Sequence, residues 1–341
     1  MQLTRIPDIG SFTGRDANLI NTNFSQLASL AFTPGNVVWL NPDSGSDQWD
    51  GTTPENIAGT TQGPKQTLSA AYDLLREGMN DVVALISDGT TSGTARVNSA
   101  FTWSKNAAHL VGIASGVNIS SRARIAPTAT TTAFANFFTV SGSGCFFQNI
   151  QWFHGFNTGT TSAICLTVTG SRNLFLGCAI DGMGDAASAQ NSGSRSLKIS
   201  GGGQENIFRS CAIGIDTVTR TVANASVELA GATARNQFID CVFPFMTSAA
   251  TPLGILGTGN GCVDRFNLFQ RCLFVNAIKS ASTTMSALAS FTTSAPGGLN
   301  VFQGCMSIGI TEWGDTNGLA NSYVDMAAPS ASAGGIGVNP S

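Results

Sequence analysis

The chain has 341 residues, only 11% of them charged, with 17 Lys+Arg against 20 Asp+Glu and a net charge of −3; soluble domains usually carry ~25% charged residues. There is no basic excess to neutralise phosphates, so a nucleic-acid partner is not expected, and no apolar run approaches the ~20 residues that would span a bilayer. With 39 Gly and 21 Phe, the composition suits an elongated all-β body with tight turns and a stacked apolar interior rather than a disordered chain.

The first residues, Met1 to Gly10, hold one Arg and no apolar stretch, so no secretory leader is expected. Between Asp16 and Ala31 the apolar residues Ile20, Phe24, Leu27 and Ala31 fall four, three and four apart. That is a helical seam of about two heptads, too short to hold alone. It predicts an arm over 1–36 that lies on the end of the body or attaches the subunit through Ile20, Phe24 and Leu27. Val37–Leu40 then reads as a strand, Asn41 to Gly51 as a polar turn, Thr67 to Leu75 as a short amphipathic helix and Asp81 to Ile86 as a buried strand. A helix at this point would cover the open end of a stacked structure, where apolar surface and strand edges are otherwise bare.

A repeat follows. Five segments read Asn-x-Phe-x-x-Cys: Asn173-Phe175-Cys178, Asn206-Phe208-Cys211, Asn236-Phe238-Cys241, Asn267-Phe269-Cys272 and Asn300-Phe302-Cys305. The Cys-to-Cys intervals are 33, 30, 31 and 33, and an earlier variant reads Cys145-Phe147-Ile150. Phe and Cys stand three apart, which breaks the period of two of a single strand. Both can face one interior only if a turn residue resets the parity, and that residue is Gly177, Ser210, Asp240, Arg271 or Gly304. Phe is expected to close one short strand and Cys to open the next. A third strand lies upstream of each Asn, as in Ile164-Leu166-Val168, Leu197-Ile199 and Val227-Leu229.

Three short strands in ~30 residues describe one coil of a parallel β-helix, in which equivalent positions stack ~4.8 Å apart. The pattern predicts a Phe ladder, a Cys ladder and an Asn row. Asn is placed at the corners because it tolerates the left-handed conformation and its amide can bond along a stack. Six residues before the first three Cys stand Arg172, Glu205 and Arg235, an alternating-sign column for the outside.

The stretch Val38 to Gly89, with Gly45-Ser46-Asp47, Asp50-Gly51-Thr52, Thr67 to Ala71 and Asp81 to Ile86, resembles the opening segment of right-handed, pectate-lyase-like β-helix proteins. Together with the coils, the resemblance covers roughly residues 37–313. The whole arrangement, including Asp8-Ile9-Gly10 and Asn21-Thr22-Asn23-Phe24, is similar to β-helix virion proteins of tailed bacteriophages. The resemblance implies an all-β, right-handed, single-stranded parallel β-helix. The expected division is an N-terminal arm at 1–36, an opening and capping helix at 37–90, coils at 91–313 and an extended tail at 314–341, a charge-poor segment taken to be held by a neighbouring subunit.

The chemistry-bearing residues are few. Cys178, Cys211, Cys241, Cys272 and Cys305 share one interior position, so they read as buried free thiols rather than a disulfide framework or a zinc site. Cleavage of a polysaccharide needs two or three carboxylates on one flank. Counted from their own Cys, Asp181, Asp185 and Asp216 could converge on one loop face, with Arg220 near, and they are the catalytic candidates. Turn-forming Asp is the plainer reading of Asp181 and Asp185. His109 and His154 border strands and read as structural. Asp43, Asp47 and Asp50 do not match a calcium-loop spacing, and no cofactor is expected.

The reading that follows is a structural virion component: a homotrimeric spike, head fibre or decoration subunit bound to the capsid, with other phage virion proteins as partners and assembly in the host cytoplasm. Flat outer faces of Ser, Thr, Ala and Gly are expected to carry the contacts between subunits. The alternative is a tailspike that binds or degrades a host surface glycan. A cellular pectate-lyase-like enzyme would need export and a calcium-binding carboxylate group, neither of which is evident.

Overall fold

A computed structural model describes residues 35–114, 119, 123–128, 134–155, 163–277 and 284–325. The predicted seam Ile20, Phe24 and Leu27 and the segment beyond 325 lie outside the described residues. One coil shows the construction. The chain runs along Leu174–Leu176, turns at Gly177, continues along Ala179–Asp181 and crosses a loop bearing the short helix Ala186–Ala189. It returns along Arg195–Ile199 and reaches Ile207–Arg209, where Phe208 lies beside Phe175. Repetition gives three parallel sheets of ten, nine and eight strands, here named A, B and C in the order one coil visits them.

The corner between sheets A and B is the parity reset that the sequence requires. Gly177, Ser210, Asp240, Arg271 and Gly304 all have φ between +50° and +61°. One left-handed residue turns the chain and brings Phe and Cys onto the same side. The strand limits differ slightly from expectation. Phe stands in the middle of its strand rather than at its end, and Cys sits on the corner just ahead of the next strand.

Inside, the rings of Phe147, Phe175, Phe208, Phe238, Phe269 and Phe302 stack with centroids 4.5–5.0 Å apart and planes within 17°. That spacing is the strand separation itself. The thiols form a parallel row, and each donates to the carbonyl of a Phe in the preceding coil, as Cys211 does to Phe175 at 3.4 Å and Cys241 to Phe208 at 3.3 Å. All eight cysteines are free and buried.

The Asn row forms, but not through left-handed Asn. The residue ahead takes that conformation: Arg172, Glu205 and Arg235 have φ of 59°, 59° and 54°. The turn directs Asn inward, where it is fully buried, and its charged neighbour outward. The backbone N–H of Asn173 donates to Asn206 Oδ1, that of Asn206 to Asn236 Oδ1 and that of Asn236 to Asn267 Oδ1, at 3.0, 3.0 and 3.2 Å. Outside, Arg172 Nε lies 2.7 Å from Glu205 Oε2 and Arg235 Nε 3.0 Å from Glu205 Oε1, which makes the expected ion column.

The opening segment closes one end. Helix Leu68–Asp73 starts at Thr67, whose hydroxyl accepts from Ala70 N–H. Leu68, Ala71, Tyr72 and Leu75 join the core, and Tyr72 meets Phe101 edge-on at 5.4 Å. At the other end the solenoid passes the expected limit of 313. Helix Thr316–Ala320 leads to strand Ser322–Val324, which pairs with Leu299–Gln303, so the segment from 314 begins as a further coil rather than an extended tail.

Candidate functional site

Asp181 ends the sheet B strand Ala179–Asp181, in which Ile180 points into the core and its two neighbours point outward. A chain of polar side chains reaches it along the solenoid axis. Arg124 Nε donates to Gln151 Oε1 at 2.7 Å, and Gln151 Nε2 donates to Asp181 Oδ2 at 2.6 Å. The three come from successive coils, with Arg124 and Gln151 in register. Asp181 is only 5% exposed. Burial pushes its carboxyl up to about 7, against the downward pull of the Gln151 bond and the Arg124 charge, and Asp216 in the next coil pushes it further up. A carboxyl raised toward neutrality is a group from which acid–base chemistry can be built.

The other candidates separate. Asp185 caps helix Ala186–Ala189: its Oδ1 accepts from Ala187 and Ser188 N–H at 2.8 and 3.0 Å, and its Oδ2 from Ser188 Oγ at 2.9 Å. It is a turn-forming Asp. Arg220 does not reach the carboxylates as expected. Its guanidinium is buried over the Phe245 ring at 5.3 Å and donates to Asn224 Oδ1 at 3.2 Å. Burial lowers it to about 9. The structure therefore ties Asp181 to Gln151 and Arg124 and leaves Asp185 and Arg220 in structural roles.

Both histidines are part of the framework. His109 Nδ1 accepts from Phe146 N–H at 3.0 Å, which leaves the proton on Nε2, 3.3 Å from Asn80 Oδ1. His154 is buried, stacked on Phe137 at 5.4 Å and 5°, with neither ring nitrogen hydrogen-bonded. Burial lowers it to about 4. Asp47 accepts from Gln66 and Thr67 N–H at 3.0 and 2.9 Å and Asp50 from Thr52 N–H at 2.9 Å, so both serve turns. Among the described residues no three His, Cys, Asp or Glu side chains are grouped to hold a metal ion.

One cluster escaped the sequence reading. On sheet C, Glu228 is 6% exposed and bridges Arg195 Nε and Lys198 Nζ, each at 2.9 Å. Lys198 and Glu228 are register partners in adjacent coils. A signal was present: each stands thirteen residues ahead of its repeat Cys, the same phase and opposite sign. All three charges are satisfied within the chain.

No protein-family model matches the chain, and no curated protein does. Solved structures do. A pectin methylesterase in complex with a hexasaccharide is similar with a TM-score of 0.56 at 16% identity, over 83% of this chain and 93% of that one. Pectin methylesterase PemA from Erwinia chrysanthemi gives 0.55 at 16%, over 89% and 93%. The pectate lyase Pel9A gives 0.51 at 14%, over 79% and 62%. At these identities the likeness is one of architecture: the chain is an all-β, right-handed parallel β-helix of the pectate-lyase-like kind.

Proposed function

We propose that this chain is a structural β-helix subunit of a tailed-phage virion, a homotrimeric spike, head fibre or decoration protein held to the particle with other virion proteins. The observation that supports this reading is the way the solenoid uses its polar groups. Its Asn, Cys and paired charged side chains bond from coil to coil along the axis, which stiffens a rod and leaves few of them to act on a ligand. The resemblance of the coils and of the N-terminal segment to phage β-helix virion proteins supplies the setting. Purified particles should contain the chain in fixed stoichiometry, read by quantitative mass spectrometry. Its absence from particles would overturn the reading.

One observation favours a second reading, a tailspike that binds or cleaves a host surface glycan: the buried Asp181 at the end of the Arg124–Gln151 hydrogen-bond chain on sheet B, its carboxyl raised to about 7. Two of the similar structures are named for activity on pectin, one of them holding a hexasaccharide. Incubation of the protein with host surface polysaccharide decides between the two. Release of reducing sugar that is lost in Asp181→Asn establishes a cleaving tailspike, and retention of the chain on immobilised polysaccharide without release establishes a binding one. The absence of both leaves the structural subunit.

A further inference from the structure

We infer that the outer face of sheet A is the surface on which a second copy of this chain packs side by side, an inference that rests on the assembly part of the reading above and names its interface. The residue just before Phe175, Phe208, Phe238, Phe269 and Phe302, and before Val324, the register partner of Phe302, points outward. Through these six successive strands it is Leu174, Ile207, Gln237, Leu268, Val301 and Tyr323. None is charged, and all are half-buried by their own neighbours in the stack. Val37, Ile113 and Phe266 on the same sheet are 41%, 47% and 41% exposed. This is not the face of small Ser, Thr, Ala and Gly residues that the composition suggested.

Both long edges of the strip carry charges, most of them in ion pairs, and Arg209, two positions beyond Ile207 on the same strand, is exposed. Along the corner from sheet C runs the Arg172–Glu205–Arg235 column, and at the corner to sheet B Arg271 Nε lies 2.7 Å from Asp240 Oδ1. An apolar centre within a polar rim is the anatomy of a protein interface. The other faces differ. Sheet C bears the Arg195–Glu228–Lys198 cluster, and sheet B bears Arg124, Gln151 and Asp181 before turning apolar only near its end, at Val275, Met306 and Ile308.

Two features select a second copy as the occupant. Ten strands at ~4.8 Å and three to five residues of ~3.3 Å give a strip ~43 Å long and ~10–16 Å wide. Its area, roughly 400–700 Å² before surface relief, approaches the ~800 Å² per partner of a stable interface. A partner that fits such a strip needs apolar rows at the strand pitch over its whole length, which another copy has by construction.

The test is mass photometry of the purified full-length chain at micromolar concentration. The natural protein should be an oligomer. Leu174→Asp combined with Ile207→Asp and Leu268→Asp should give monomers with an unchanged β-type circular dichroism spectrum, while Met306→Asp with Ile308→Asp on sheet B should leave the oligomer intact. Gln237→Cys supplies a readout that does not depend on disrupting the fold, because the eight natural thiols are buried: a short bis-maleimide should join copies through residue 237. A monomeric natural protein, an oligomer indifferent to the sheet A changes, or no cross-link at 237 would each overturn the inference. An oligomer that cross-links at 237 but is missing from particles would sink the virion reading and leave this interface standing.

Discussion

The solenoid is built in two ways along its length. From Asn173 to Cys305 one solution is repeated: Phe on Phe, thiol to carbonyl, Asn to Asn. From Ala95 to His154 the interior is fitted piece by piece. Trp103 donates to Ala108 O at 3.1 Å and meets Phe147 at 67°, Ile150 stands where later coils have Cys, and Trp152 meets Phe175 at 63°. The corner survives the change, since Asn149 has φ 54° there. What differs is polar satisfaction. In the repeated coils Asn173, Asn206 and Asn236 each find a partner one coil on, whereas Trp152 Nε1 and both nitrogens of His154 have none. The same happens where repetition stops: neither amide atom of Asn300 is hydrogen-bonded. Repetition satisfies the Asn row up to its last member, and it does nothing for buried groups off the row, since the hydroxyls of Ser196 and Ser226 also lack partners.

The largest expected effect comes from breaking a ladder in its middle. Phe208 is clasped between Phe175 and Phe238 at 4.5 and 4.8 Å, so Phe208→Ala should destabilise by about 3–5 kcal/mol in denaturant melts. Phe101→Ala, at the partly buried fitted end, should cost less. Equal losses would mean that a fully buried ladder ring counts for no more than the partly buried Phe101, which stacks on Phe138.

A smaller effect separates the middle of the Asn row from its end. Asn236 Oδ1 accepts from both Asn206 N–H and Asn206 Nδ2, and Asn236 Nδ2 donates to Gly203 O and Asn267 Oδ1. Asn236→Ala leaves these groups buried and unpaired, at a cost of about 1–3 kcal/mol. Asn300→Ala, which removes an amide with no partners, should lower the melting temperature distinctly less. A cost at 300 as large as at 236 would contradict the bonding described for the row.

The smallest net effect is a pH dependence that sets His154, in the fitted coils, against Asp181, in the first repeated one. Asp181 is raised to about 7 in the fold, so the folded state holds its proton longer than the unfolded chain, and the stability this gives declines as pH rises from about 4 through 7. His154 is lowered to about 4, so its contribution has the opposite slope, growing as pH rises from about 4 to 6.5. The two should nearly cancel below about 6.5, with melting temperature falling above it. Asp181→Asn should expose the rising His154 limb and remove the fall near neutrality. A variant that follows the natural profile would show that Asp181 is not held near 7.

Much of this was readable from one line of residues. A three-residue Phe-to-Cys spacing cannot lie on one side of a straight strand, so the corner, the ladders and the ion column followed from Asn-x-Phe-x-x-Cys and its neighbours. The left-handed residue ahead of Asn was not readable, because Arg172 and Glu205 have side chains that ordinarily disfavour that conformation. The grouping of Asp181, Asp185, Asp216 and Arg220 was readable only in part. Loops between sheets B and C vary in length, so counting from Cys loses its meaning there. Burial of Arg220 on Phe245 and capping by Asp185 are decided by loop paths that no repeat constrains.

The sequence by itself determined the β-helix, because a period of ~30 residues with fixed interior positions has few ways to bury its Phe and Cys side chains except by stacking. Only the tertiary structure decided which outer face is apolar, how far Asp181 is drawn out of water and where the polar rows end. Those properties depend on which side chains from different coils come to lie side by side. Strand register and loop path set that juxtaposition, and neither is encoded locally.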